Sequence, residues 1–324
     1  MKYKLLGRSG VKVSELCFGT LSFGGEADEA ASAAMYKACR EVGINFFDCA
    51  DQYSMGKSEE ILGRLMKGQR EDLVITTKCF NPTGEDVNAR GTSRRHLTRA
   101  VEASLKRLQT DRVEVLFLHH YDKRTPLEES VRALEDLVRS GKVLYPAVSN
   151  WSAWQTQRAV DIQERNNWAR LQVIQPMYNL VKRQAEVELL PMAEANGIGV
   201  TPYSPGAAGL LSGKYSGAAT GRLKTNKMYE ARYGEAWMFE VAEKFAAFCK
   251  QKGLHPVSTA VAWVGAHPAV TAPIIGARNL GQLQASLDAV KVHMTPALHA
   301  EIGALSRTTP PATDRLEEIK PPKA

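Results

Sequence analysis

Four side chains that could act together stand at the ends of three short apolar runs. Asp48 closes Ile44-Asn45-Phe46-Phe47-Asp48, Lys78 falls near the end of Leu73 to Cys79, His119 closes Val113 to His119, and Tyr53 follows Asp48 in a loop. Alternate side chains of a strand share a face, so Ile44, Phe46 and Asp48 point one way, as do Val74, Thr76 and Lys78. A carboxylate that ends an apolar row must be exposed, paired with a cation or hydrogen-bonded; Lys78 is the expected partner of Asp48. The chemistry available to such a set is proton transfer. A free phenol has a pKa of about 10, an adjacent ammonium stabilises the phenolate and lowers that value, and a carboxylate keeps the ammonium charged and oriented. Taken singly, each residue has a plain structural reading: a rim charge, a packed tyrosine, a core histidine. Their coincidence on one face at one end of three successive strands is what those readings leave unexplained.

The elements that must position these groups alternate regularly. A hairpin is expected from Lys2 to Leu6 and Val11 to Val13, then a first core strand Glu15 to Gly19, a helix Ala30 to Val42, the strand ending at Asp48, and a helix after Ser58 as N-cap. Strand Leu73 to Cys79 and helix Arg94 to Leu108 follow, then strand Val113 to His119 and helix Leu127 to Ser140. Strands Val143 to Ser149, Val173 to Tyr178, Gly199 to Tyr203 and Val270 to Ile275 alternate with helices Ala153 to Arg165, Glu186 to Asn196, Pro256 to Gly265 and Leu280 to Val290. Short apolar strands alternating with helices mark a parallel sheet, and at 324 residues the pattern predicts an α/β fold, a single (β/α)8 TIM barrel with an N-terminal β-hairpin. An open doubly wound sheet is the competitor; its GxGxxG fingerprint is absent after the first strand. Two segments break the repeat: a long loop, Gly206 to Glu235, after strand seven of the barrel, and an extended tail over 307–324 rich in proline.

Composition narrows the class further. Lys and Arg exceed Asp and Glu by 42 − 35 = 7, but the basic residues are dispersed, so no nucleic-acid surface is expected. Five cysteines without CxxC spacing read as reduced thiols. The start MKYKLLGRSG lacks the apolar core of a signal peptide and no apolar run approaches membrane-spanning length, so a cytoplasmic location and no membrane partner are expected. Oligomeric state is not readable.

The motifs FFDCADQY, SEEILGR, VITTK, LFLHHYD, SNW, QPMYN, YSPGAAGLLSGKY and PIIGARNLGQL, in this order over nearly the whole chain, resemble the aldo-keto reductase superfamily. The resemblance implies a barrel oxidoreductase that reduces an aldehyde, ketone or sugar carbonyl with NADP(H), or runs the reverse reaction. It implies Tyr53 as proton donor, tuned by Lys78 and His119, with Asp48 paired to Lys78. The chemistry agrees: a carbonyl accepting a hydride develops charge on oxygen and needs a proton donor beside it, and His119 can donate a hydrogen bond there. No metal is required.

The same resemblance implies cofactor contacts. Gly19 and Thr20 end the first strand; Ser149, Asn150 and Gln175 would hold the nicotinamide carboxamide and Tyr203 would stack on its ring. Ser204, Leu210, Gly213 and Lys214 would wrap the pyrophosphate. Gly276, Arg278 and Gln282, at a helix start, would meet the adenosine end, where a guanidinium suits a 2′-phosphate and favours NADP(H) over NAD(H). Ala285 and Ser286 depart from the family pattern at the adenine site. Cys49 stands where the family often has Thr; alternation turns Cys49 and Cys79 toward the helices as small core residues. Phe23, Met55, Phe80, Tyr121 and Trp151 are the candidate apolar wall for a small-molecule carbonyl or alcohol.

Two other readings stand beside this one. A regulatory subunit sensing nicotinamide redox state, resembling the potassium-channel β-subunits of the superfamily, would use the same fold. A metal-dependent hydrolase would use Asp48, His119, His120 and Asp122, but it lacks an HxH element and leaves Tyr53 and Lys78 idle; alternation also faces His120 outward.

Overall fold

The structure, a computed structural model, describes residues 1–215 and 226–318. Eight short strands pair in parallel: β3 (Cys17–Gly19), β4 (Phe46–Asp48), β5 (Val74–Cys79), β6 (Val113–Leu118), β7 (Val143–Ser149), β8 (Val173–Gln175), β9 (Gly199–Val200) and β10 (Ile274–Ile275), in the order β10-β3-β4-β5-β6-β7-β8-β9. Backbone hydrogen bonds from Thr271 N to Val200 O (2.9 Å) and Ile274 N to Pro202 O (2.9 Å) join the last strand region to β9, giving the expected (β/α)8 barrel. The register sets Asp48 opposite Gly19 and Thr76, and Lys78 opposite Phe117. That register places strand-end side chains at one mouth.

The antiparallel hairpin of β1 (Tyr3–Leu5) and β2 (Lys12–Ser14) precedes the barrel. Its Leu6 and Val13 join the inner core formed by Cys17, Phe46, Val74, Val115, Phe117, Ala147, Val173 and Ala272. Side chains of opposite parity, among them Phe18, Phe47, Ile75, Leu116 and Leu118, meet the helices instead. Each large apolar side chain so buried stabilises the fold by about 1.5–3 kcal/mol. At the closing seam a Cβ on Gly19 would stand 2.8 Å from Ile274 Cγ2, so only glycine lets β3 and β10 approach this closely.

The helices are stopped and started by local chemistry. Asp28 caps α1 (Glu29–Glu41), Ser93 caps α3 (Arg94–Leu108), and Ser152 with Gln155 forms a capping box on α5 (Ala153–Arg165). Helix α4 (Leu127–Arg139) lies where the periodicity puts it, whereas α2 (Lys57–Leu65) begins after Gly56, so Ser58 is inside the helix with its hydroxyl donating to Thr20 O (2.8 Å) and is not the expected N-cap. Two later helices are partly 3-10: α6 covers Leu189–Asn196 after a 3-10 turn Gln184–Glu186, and the helix expected over Leu280 to Val290 is α-helical to Leu287 and continues as a 3-10 turn Asp288–Lys291. The expected loop Gly206 to Glu235 holds a 3-10 turn Ala207–Ser212 and a helix α7 (Lys227–Tyr233); its residues 216–225 lie outside the described residues. Helix α8 (Ala236–Gln251) was not foreseen, nor was α11 (Pro296–Gly303); between them come α9 (Pro256–Gly265) and α10 (Leu280–Leu287). Of the tail expected to be extended, Arg307 stacks over the Trp237 ring at 4.5 Å and Leu316–Glu318 forms a 3-10 turn, while 319–324 lie outside the described residues.

Candidate active site

At the mouth, Lys78 is fully buried and its ammonium has three partners: Asp48 Oδ2 at 2.5 Å, Cys49 O at 2.7 Å and the Tyr53 hydroxyl at 3.2 Å. The other carboxyl oxygen of Asp48 accepts from Thr76 Oγ1 (2.7 Å) and Gln175 Nε2 (3.0 Å), so both sides of the buried ion pair are satisfied. Burial opposes the charge on Lys78, but Asp48 and Tyr53 more than offset it and raise its pKa. The amine stays an ammonium. For Tyr53 the balance corrects the expected lowering: burial pushes the phenol up to about 12, against the pull of Lys78 and with a further push from Asp48. Tyr53 is therefore a neutral phenol throughout the ordinary pH range.

His119 is nearly buried, and burial, then Lys78, then His120 hold its pKa well below the usual imidazole value. It is neutral, and Nδ1 stands 3.3 Å from Asn81 Nδ2. With the Asn81 amide donating, Nδ1 is the acceptor and the proton sits on Nε2, the nitrogen free to donate. The Tyr53 and His119 rings meet edge to face at 6.2 Å. His120 is not turned outward as alternation suggested: the strand ends at Leu118, and beyond it His120 stacks on His119 at 5.0 Å and meets Phe80 at 5.2 Å.

The loop that carries Tyr53 is sharply wound. Ser54, Met55 and Gly56 follow with φ of 50°, 54° and 90°, and Ser54 Oγ donates to Phe23 O at 2.8 Å. Left-handed backbone costs a non-glycine residue about 1–2 kcal/mol, so this turn is held by its surroundings and fixes the phenol above Lys78.

The residues expected at a cofactor form a connected row. Ser149 Oγ donates to Gln175 O (2.9 Å); Asn150, at φ 58°, donates to Ser149 Oγ (3.1 Å) and His119 O (3.0 Å); and Tyr203 OH donates to Asn150 Oδ1 (2.7 Å). Ser204 has φ 59° and its carbonyl accepts from Asn179 Nδ2. Ala207, Ala208 and Gly209 continue in left-handed backbone, and a Cβ on Gly209 would meet Lys214 Nζ at 3.2 Å, so glycine leaves room for that ammonium. Leu210 is buried and Gly213 turns the chain at φ 79°. Gly276 faces Gly19 across the closing seam, and Arg278 N donates to Gln282 Oε1 (3.3 Å) at the start of α10. The Arg278 guanidinium lies 3.6 Å from Glu26, a residue sequence reasoning had not singled out.

Some expectations need correction. The Thr20 side chain is fully buried rather than open at the mouth; its hydroxyl donates to Asp48 O (3.1 Å) and accepts from Ser58 (2.8 Å). Phe23 is fully buried against Phe18 and does not line an open wall. Trp151 is likewise buried behind Tyr121, which it meets edge to face at 5.0 Å, whereas Phe80 and Tyr121 are partly exposed and Met55 is open to solvent. Ser286 faces the core. Cys49 and Cys79 do face the helices, and burial raises both thiols far above their ordinary pKa. Asn81 and Glu26 are additions that only three-dimensional proximity reveals; Thr76, sharing the face of Lys78 along its strand, has a sequence signal, and the structure adds its bond to Asp48.

Asp122 is engaged by Thr92 N, Arg124 N and Thr125 Oγ1, and among the described residues no group of three or more His, Cys, Asp or Glu is placed to hold a metal ion. No helix among them is long and apolar enough to cross a membrane. The Aldo/keto reductase family pattern matches residues 15–307. The chain is 39% identical to the uncharacterized oxidoreductase YrpG of Bacillus subtilis, covering 91% of this chain and 92% of that protein. It is 35% identical to a probable voltage-gated potassium channel subunit beta of Oryza sativa subsp. japonica (97% and 99% covered) and 33% identical to the versiconal hemiacetal acetate reductase of Aspergillus parasiticus (91% and 94%).

Proposed function

Because the chain belongs to the aldo/keto reductase family, we propose that it is an NADP(H)-dependent reductase of an aldehyde, ketone or sugar carbonyl, acting in the cytoplasm on a small molecule and not on nucleic acid. The observation that carries this reading is the Lys78 ammonium bridging Asp48 Oδ2 at 2.5 Å and the Tyr53 hydroxyl at 3.2 Å beside a neutral His119. When bound, the reduced nicotinamide supplies the hydride. The residues fit such a group: Gln175 gives its amide N–H to Asp48 and keeps its carbonyl for a carboxamide, Asn150 and Tyr203 stand beside it, and Lys214 lies over Gly209 where a pyrophosphate would pass.

In this mechanism the carbonyl oxygen rests between the Tyr53 hydroxyl and His119 Nε2–H. As charge develops on that oxygen, Tyr53 gives up its proton and Lys78 stabilises the phenolate left behind. Asp48 keeps Lys78 charged, and Thr76 and Gln175 keep Asp48 in place. A phenol at about 12 stays protonated near neutrality, so the donor is always present for reduction, and the Lys78 ammonium offsets the weaker acidity by stabilising the phenolate. The alcohol product then leaves with the Tyr53 proton, and solvent restores it.

Tyr53→Phe tests the reading: the ring is kept and only the donor lost, so NADPH affinity should hold while kcat for carbonyl reduction falls by about a hundredfold or more. Fluorescence titration with NADPH and NADH checks the first, stopped-flow oxidation of NADPH the second; undiminished turnover would reject the role. The rice relative supports a second reading, a redox-sensing channel subunit, which predicts tight NADPH binding with turnover too slow to regenerate the cofactor between binding events.

A further inference from the structure

One cation at the mouth has no role in the mechanism above. Arg232 lies on the last turn of α7, which is anchored by the buried Tyr233: Asn179 Nδ2 lies 3.2 Å from its hydroxyl and Met177 Sδ 3.6 Å. The guanidinium is partly buried, 6.0 Å from the ring centroid of Tyr203 and 5.8 Å from that of Tyr229. Tyr203 in turn bonds Asn150, which bonds the His119 carbonyl. After burial, Arg232 is the charge that holds the pKa of His120 down, and His120 is stacked on His119. So the arginine overlooks the wall formed by His119, His120 and Phe80.

Among the described residues its charge has no carboxylate beside it. Other part-buried arginines are satisfied: Arg70 by Glu114 at 3.0 Å, Arg107 by Glu59 at 2.7 Å and Arg183 by Glu186 at 2.8 Å, while Arg40 donates to Gln69 Oε1 (3.2 Å) and the Ile44 carbonyl (2.8 Å). Among the described residues no carboxylate lies within ion-pair distance of Arg232, and residues 216–225 contain no Asp or Glu. A guanidinium stacked on aromatic faces has fixed orientation, and its N–H fork matches a carboxylate or phosphate. Aliphatic packing alone would not call for an arginine at this place.

We infer that Arg232 binds an anionic group of the carbonyl substrate, so that the protein takes aldehydes or ketones bearing a carboxylate or phosphate in preference to neutral ones. This rests on the reductase reading and adds a substrate class to it. The group Arg232 holds belongs to the substrate, remote from the reacting carbon; a cofactor phosphate is the other source of the same chemistry, and the test separates the two.

The experiment compares NADPH-dependent reduction of 4-carboxybenzaldehyde and of its methyl ester by the full chain and by Arg232→Gln and Arg232→Lys. The expected result is that Arg232→Gln lowers kcat/KM for the acid by roughly tenfold to a hundredfold, the worth of a charged hydrogen bond. The loss should come through KM, the ester should move by less than about twofold, and Arg232→Lys should recover part of it. NADPH affinity should not change. Equal losses for acid and ester would mean that Arg232 only packs on its tyrosines, and the inference falls. Weaker NADPH binding with no change in the acid-to-ester ratio would give the cation to the cofactor, and it falls again. If the unaltered protein reduces neither aldehyde while binding NADPH, the reductase reading fails and carries this inference with it, a signature distinct from lost discrimination.

Discussion

Asp51 offers a test in which the magnitude follows from geometry. Its side chain is 2% exposed, and its carboxyl oxygens have no well-aligned hydrogen bond, only the approach of the Gln52 N–H and the Cys79 thiol. Burial raises its pKa from 3.8 to about 7; Glu59 on α2 adds to the rise, while Arg107 on α3, the Gln52 N–H and the Cys79 thiol give partial relief. The folded state therefore binds a proton that the unfolded chain has already released between these values. Stability falls as pH climbs from about 4 to about 7 and is level above that, because the sign of the linkage follows the state with more protons. Between about pH 5 and the folded value lie about two pKa units, each worth about 1.4 kcal/mol, or roughly 2–3 kcal/mol in all after some water penetration. Asp51→Asn cannot titrate. Urea unfolding of both proteins at about pH 5 and about pH 8 should show the stability of the wild type relative to Asp51→Asn dropping by roughly 2–3 kcal/mol across the interval; every other carboxylate cancels in that difference. A difference that does not change with pH would mean that Asp51 ionises as an ordinary carboxylate, and the picture of an unsolvated acid behind the Tyr53 loop would be wrong.

Two further outcomes are expected. Asn81→Asp should damage carbonyl reduction more than Asn81→Ala, because a carboxylate demands a proton on His119 Nδ1 and turns a lone pair toward the substrate; with NADPH affinity unchanged, we expect about a tenfold or greater gap in kcat, and the reverse order would refute the tautomer assigned from the 3.3 Å contact. Glu26→Gln should tighten NADPH binding by up to about fivefold at low ionic strength and leave NADH unaffected, since the 3.6 Å pair with Arg278 competes with a 2′-phosphate; an equal gain for both cofactors in fluorescence titration would place the effect elsewhere.

What could be read in the sequence was whatever obeys a short period. Asp48, Lys78 and His119 were found because alternation along β4, β5 and β6 fixes the face of every side chain once strand ends are known. Gln175 was read as polar and in need of a partner, yet that its partner is Asp48, at a separation of 127 residues, is a fact of barrel closure that no local pattern holds. The shift of Tyr53 was misjudged in sign for a related reason: a neighbouring ammonium can be inferred from strand order, whereas the depth of burial that outweighs it cannot. Helix α8 escaped because Trp237, Phe239 and Phe248 add apolar side chains beside the buried Met238, Val241, Phe245 and Cys249, blurring the contrast on which helical periodicity depends. His120 escaped because alternation ends where the strand does.

The groups proposed to handle the proton, Asp48, Tyr53, Lys78 and His119, all come from the first half of the barrel, and those proposed to hold the cofactor, from Ser149 to Gln282, nearly all from the second. At the mouth the two halves touch through few side-chain contacts: Gln175 to Asp48 and Asn150 to the His119 carbonyl, each 3.0 Å long, Ser22 to the Ala277 carbonyl at 2.6 Å, and the Arg278–Glu26 pair at 3.6 Å. In evolutionary terms this is a separable inheritance. On the proposed roles, substitutions after β7 would retune which nucleotide is held without disturbing the proposed acid, and chimaeras joined between α4 and β7 would exchange one trait at a time, provided those contacts survive the graft.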